Sequence, residues 1–111
     1  MKLDWCAPEA CSLPSADQPA RVAEWDALFA GAVCEVSPIT GGVRFAVDRT
    51  AAGPAAVADL ADRESQCCAF LAFTLVLGNG TVTLDVTSDS GHAEVVEALA
   101  GRAAALAGSG R

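Results

Sequence analysis

The chain has 111 residues, 52% of them hydrophobic and 19% charged, with a formal net charge of −7. That length suits one domain with a single core and is too short for two. The composition excludes a low-hydropathy disordered chain, and no apolar run approaches the ~20 residues that a membrane-spanning helix requires. Alanine supplies 24 of the residues and aromatics are few (two Trp, four Phe, no Tyr), so Val, Leu and Ala must build most of the core. Lys2 is the one lysine and the arginines are scattered. With no basic stripe to neutralise phosphates, nucleic acid and anionic membrane surfaces are not expected partners. The start, Met1-Lys2-Leu3-Asp4-Trp5, lacks the apolar stretch of a secretory signal, so a cytoplasmic location is expected.

In chain order, residues 1–16 carry Pro8 and Pro14 without an apolar period and are expected to form an irregular, cysteine-containing flap. Asp17 suits a helix cap, with Pro19 tolerated in the first turn, and Val22, Trp25, Leu28 and Phe29 recur at helical spacing over 18–31. Residues 32–38 read as a strand and Thr40-Gly41-Gly42 as its hairpin turn. Val43, Phe45 and Val47 then alternate with Arg44, Ala46 and Asp48 as a half-buried strand. Gly53-Pro54 opens a second helix running to about Cys68; strands at 71–77 and 81–87 flank the turn Gly78-Asn79-Gly80. A third helix covers 91–107, and 108–111 is expected to fray.

This order, α-ββ-α-ββ-α, contains an ungapped repeat at an offset of 39: Val43 falls on Val82, Val47 on Val86, Val57 on Val96, Leu60 on Leu99, Ala61 on Ala100 and Arg63 on Arg102. The expected fold is α+β over residues 17–107, a four-stranded antiparallel sheet with its helices on one face. The other face, carrying Arg44, Asp48, Thr83 and Asp85, is expected to be solvated.

Five cysteines are an odd number, and in a reducing compartment a disulfide framework explains them poorly. They are left as small core residues, metal ligands or nucleophiles. The repeat supplies an internal control: Glu64 stands where the other unit has Ala103, Cys67 where it has Leu106, and Cys68 where it has Ala107. Val57, Leu60, Ala61 and Glu64 share one helix face, with Cys67 and Cys68 one turn beyond the carboxylate. A carboxylate on an apolar face is costly unless it is paired or used. Pairing with Arg21 or Arg63 is the structural alternative. Because adjacent side chains on a helix diverge, a second source of sulfur is expected for any metal site. Cys34 is one candidate: its repeat counterpart is Phe73, which places it in the core beneath the second helix if Phe73, Leu75 and Leu77 face the helices. Cys6 and Cys11, at C-x4-C spacing, are the others, reaching the site from the flap. Thiolates select mercury, arsenite, cuprous copper or zinc. His92 reads as an exposed residue of the capping region, and Asp59, Asp62, Glu94 and Glu97 as solvated helix faces. No phosphate-binding loop, dinucleotide fingerprint or H-E-x-x-H motif is present.

Cys11-Ser12-Leu13-Pro14, the run Arg21 to Phe29, and Arg63-Glu64-Ser65-Gln66-Cys67-Cys68-Ala69-Phe70-Leu71-Ala72-Phe73 resemble a group of small bacterial proteins with a C-x-L-P start and an E-x-x-C-C-x-F-x-x-F core. The resemblance spans nearly the whole chain and implies that Cys11, Glu64, Cys67 and Cys68 belong together, with an association to heavy-metal resistance. A shorter stretch, Arg63-x-Ser65-x-Cys67-Cys68, is similar to the surroundings of an essential cysteine in organomercurial lyases, and on that match Cys67 takes the mercury-binding position. Those enzymes have His where this chain has Ala69, and their second cysteine and aspartate have no clear counterpart here.

The expected function is capture of a thiophilic metal or organometal, with heavy-metal detoxification as its setting and carbon–mercury bond cleavage as an extension. Glu64 and Cys67 are the expected catalytic residues, and Cys6, Cys11, Cys34, Cys67 and Cys68 the expected ligands. No cofactor beyond the metal itself is required. The alternative is a non-catalytic, homodimeric interaction domain in which the cysteines fill the core and the apolar strand 69–77 helps form the dimer interface.

Overall fold

The computed structural model describes residues 18–107; the flap expected at 1–16, the Asp17 cap, Cys6, Cys11 and the tail 108–111 lie outside the described residues. Three helices and four strands follow in the expected order: α1 (Gln18–Gly31), β1 (Val33–Ile39), β2 (Gly42–Val47), α2 (Pro54–Cys67), β3 (Leu71–Gly78), β4 (Thr81–Ser88) and α3 (Ala93–Leu106). A short 3-10 turn, Ser90–His92, leads into α3, so the regular helix starts two residues later than its sequence pattern suggests.

The turns follow from their residues. Asn79 and Gly80 both take positive φ, 52° and 75°, as a two-residue hairpin loop of matching twist demands. At the first turn Gly41 supplies a φ of 75°. Gly42 is required for a different reason: a Cβ there would run into the Val86 carbonyl oxygen and Thr87 of the neighbouring strand.

The four strands form one antiparallel sheet in the order β1-β2-β4-β3. The two hairpins meet through β2 and β4, where Phe45 pairs with Leu84, Val43 with Val86 and Val47 with Val82. This register is symmetric about the Phe45–Leu84 pair, so a local two-fold relates the hairpins and leaves β1 and β3 as the outer strands. Val43, Phe45, Val47, Val82, Leu84 and Val86 are all buried on the helix-covered face. On the opposite face Arg44 donates two hydrogen bonds to Asp85, at 2.8 and 2.9 Å, across paired positions.

Alternation along a strand breaks at one place. Val33 pairs with Val47, but Ala46 pairs with Glu35, so Cys34 is the extra residue of a β-bulge. Val33 is buried, Val36 packs against the core, and Cys34 between them is exposed, its Sγ 3.3 Å from the Ala46 carbonyl oxygen. The expectation that Cys34 lies in the core beneath α2 is therefore corrected: it assumed an unbroken period of two, and one inserted residue moves the side chain out. Leu77 also departs from expectation. It pairs with buried Val82, yet as part of an outer strand it is exposed.

The helices sit side by side on the covered face. α2 packs on β3, and α3 packs on β1, β2 and β4. α1 presents an aromatic stripe to the sheet: Trp25 stacks on Phe73 at 6.0 Å and contacts Phe29 at 5.7 Å, and Phe29 meets Phe45 at 5.3 Å. Two arginines clamp α1 from its flanks. Arg63 of α2 donates two hydrogen bonds to Glu24, and Arg102 of α3 donates two to Asp26. The two arginines lie 39 residues apart, and the acids they hold flank Trp25 in sequence. Trp25 is thereby fixed, 1% exposed, with its ring nitrogen directed at α2.

Candidate functional site

Glu64 reaches the interior because it stands on the apolar face of α2, one turn beyond Leu60 and Ala61. It is 1% exposed, and among the described residues no other charged side chain is buried. Such a carboxylate must find donors or neutralise. It finds two on α1: Trp25 Nε1 donates to Oε1 at 2.9 Å, and Arg21 donates to the same oxygen at 3.2 Å. The other oxygen, Oε2, faces sulfur. The Cys68 thiol donates to it at 3.1 Å, and Cys67 Sγ lies 3.9 Å away.

The helix ends where the cysteines stand, three and four residues beyond Glu64, a spacing that sets both sulfurs against its carboxylate. The Cys68 N–H makes the last helical hydrogen bond, 2.8 Å to the Glu64 carbonyl, and Cys68 itself leaves helical geometry at φ −121°, ψ 80°. The Leu71 N–H then folds back onto the Cys68 carbonyl and starts β3. At this break both sulfurs reach one carboxylate, and potential ligand atoms of Glu64, Cys67 and Cys68 all lie within 4.8 Å of one another. All three residues are buried.

Arg21 completes the group. The guanidinium nitrogen that meets Glu64 also lies 3.3 Å from Cys67 Sγ, and the side chain is 11% exposed. Burial works against its charge, but the hydrogen bond and charge of Glu64, followed by those of Cys67, outweigh it and hold the guanidinium above its ordinary value. Arg21 is thus a permanent cation where two thiolates and a carboxylate would otherwise gather uncompensated negative charge.

The structure brings Glu64, Cys67 and Cys68 together and leaves Cys34 outside, while Cys6 and Cys11 lie beyond the described residues. Of the two arginines considered as partners for Glu64, Arg21 makes the contact and Arg63 turns outward to Glu24 and Asp59. Trp25 is the residue that sequence reasoning missed. Its signal lay in an unmet need: a Trp on an apolar helix stripe requires a partner for its N–H, as a buried carboxylate requires donors. His92 is half-buried rather than exposed. It stacks on Phe70 at 4.1 Å and holds Asp89 at 2.7 Å, tying the start of α3 to the chain that follows the cysteines. Asp59, Asp62, Glu94 and Glu97 are exposed. No helix among the described residues is long and apolar enough to cross a membrane. Compared with family models, curated proteins and solved structures, the chain matches none.

Proposed function

We propose that this protein captures a thiophilic metal or organometal with the thiolates of Cys67 and Cys68 and the carboxylate of Glu64. The observation that carries the reading is the convergence of these three buried groups within 4.8 Å. Soft sulfur donors favour mercury, arsenite, cuprous copper or zinc over hard cations. Thiol ligands must lose protons to bind. The Cys68 thiol already donates to Glu64, so its proton has an acceptor in place. Cys11, and after it Cys6, would extend the donor set.

Carbon–mercury cleavage would require one further step at the same groups. With R–Hg held by Cys67 sulfur, the mercury–carbon bond breaks and the Cys68 sulfur takes the mercury. The carbon takes the Cys68 proton by way of Glu64, leaving R–H and a dithiolate.

The test is mercury(II) binding by the full chain in competition with a small dithiol. Cys67→Ser and Cys68→Ser are each expected to lose more than tenfold in affinity, about 1.4 kcal/mol. Cys34→Ser is expected to bind as the parent does, and Cys11→Ser to fall between. Parent affinity in both Cys67→Ser and Cys68→Ser would overturn the reading.

A second reading, a homodimeric interaction domain, is favoured by Val76 and Leu77. They are the exposed large hydrophobics among the described residues, and both lie on the outer strand β3.

A further inference from the structure

Charge around the site falls into two layers. The outer one is Arg63 with Glu24 and Asp59, paired at 2.7 to 2.9 Å and lining an open cleft between α1 and α2. These side chains meet water, which screens them. The inner layer has no such screening. Glu64 and Arg21 lie almost wholly out of solvent, with Cys67 and Cys68 buried beside them. In such a place a net charge costs far more than a cancelled one.

The described inner groups can be counted. Glu64 accepts at both oxygens, from Trp25 and Arg21 on Oε1 and from Cys68 on Oε2. The guanidinium at 3.2 Å cancels its negative charge. Arg21 pairs through Oε1, whereas the sulfurs face Oε2, so the pair persists when an ion enters among Oε2, Cys67 and Cys68. The two thiolates are then what the ion must neutralise. A dication brings the site to zero. A monovalent ion leaves one negative charge buried, or leaves Cys68 protonated on Glu64 and is held by a single sulfur.

We infer that the site selects its ion by charge: Glu64 and Arg21 cancel each other, and Cys67 and Cys68 take a thiophilic dication in preference to a monovalent ion. This deepens the capture reading and rests on it. Softness alone does not separate the two kinds of ion, because thiolates suit copper(I) as well as mercury(II). Charge does. A neighbouring unit charge acts twice as strongly on a dication as on a monovalent ion at the same place. Arg21 and Glu64 are therefore opposite determinants of the choice.

The experiment compares mercury(II) with copper(I), two soft ions that both accept a pair of sulfurs. Affinities for the full chain are measured at less than one ion per chain, mercury(II) against a small dithiol and copper(I) against a chromophoric chelator. The ratio of the two affinities within one variant is the readout, so a loss of folded protein cancels. The parent ratio is expected to exceed that of the small dithiol, which holds both ions in water. Glu64→Gln is expected to lower the ratio, and Arg21→Gln to raise it, each by at least about tenfold for a unit charge a few ångströms away. The double variant is expected to return to the parent ratio, and Arg21→Lys, which keeps the charge, to stay there. A double variant that keeps the Glu64→Gln ratio would mean that a ligand was lost, not a charge, and overturns the inference. So does an unchanged ratio in Arg21→Gln, or a parent ratio no higher than that of the dithiol. Each of these leaves metal capture standing. If Cys67→Ser and Cys68→Ser bind both ions as the parent does, the ions lie elsewhere, and the capture reading falls together with this inference.

Discussion

Glu64 makes four demands on its neighbours and has each met by a different side chain: Trp25 and Arg21 on one oxygen, Cys68 and the more distant Cys67 on the other. This changes what its removal should do. The repeat counterpart, Ala103, is buried, and by that comparison an alanine would fit at position 64 at no cost. The structure opposes that. Glu64→Ala would leave the Trp25 N–H and the Arg21 guanidinium without their acceptor in a buried place, and each unsatisfied donor costs about 1–3 kcal/mol. Glu64→Ala is therefore expected to destabilise by at least ~1–3 kcal/mol in a urea titration, and Glu64→Gln by less, since an amide oxygen can still accept from Trp25. Stability alone does not separate packing from chemistry at this residue. Capture rate does: Glu64→Gln keeps the shape and loses the proton acceptor, so slow capture by a well-folded Glu64→Gln marks a chemical role.

At the scale of elements, α1 packs against α3 and is gripped by side chains from both of the other helices. Its aromatic stripe packs on Phe73 and Phe45, while Arg63 and Arg102 grip Glu24 and Asp26. The Glu24 grip has a pH signature. The Arg63 hydrogen bond is the largest influence on Glu24 and, opposed by burial and aided by the Arg63 and Arg21 charges, holds its carboxyl below the ordinary 4.5. A carboxyl depressed in the folded state adds stability that is fully present above its unfolded value and is lost as pH falls through the folded one. The parent should thus exceed Glu24→Gln in stability at neutral pH, by no more than the ~0.2–1 kcal/mol of an exposed pair. The difference should close as pH drops below 4.5. Urea midpoints of both proteins across that range check the sign.

For the whole molecule, the two sheet edges are unlike. β1 carries Glu35, Pro38 and the bulge at Cys34, all devices that discourage further pairing. β3, Leu71–Gly78, has no charge, no proline and no bulge, and exposes Val76 and Leu77. In a chain of net charge −7, an uncharged strand is where a second copy meets least repulsion. If the homodimer reading holds, light scattering will show a parent that dimerises with concentration and a Val76→Lys variant that stays monomeric while keeping its capture rate. A monomeric parent at millimolar concentration would remove that reading and leave metal capture untouched.

Hydrophobic period and turn chemistry by themselves determined the seven elements, the antiparallel pairing within each hairpin and the covered face of the sheet, because each depends on residues within a few positions of one another. They also singled out Glu64, Cys67 and Cys68, since a carboxylate on an apolar face beside two sulfurs departs from a local pattern. Three things needed the tertiary structure. The β1 bulge turns Cys34 outward, and a single inserted residue leaves no mark on a short alternating run. The choice of Arg21 over Arg63 follows from how α1 lies across α2, which sends neighbouring side chains to opposite layers. Trp25 meets Glu64 across 39 residues of chain. Each is a matter of where one element rests on another, and that is decided by packing the whole core at once, not by the residues nearby in sequence.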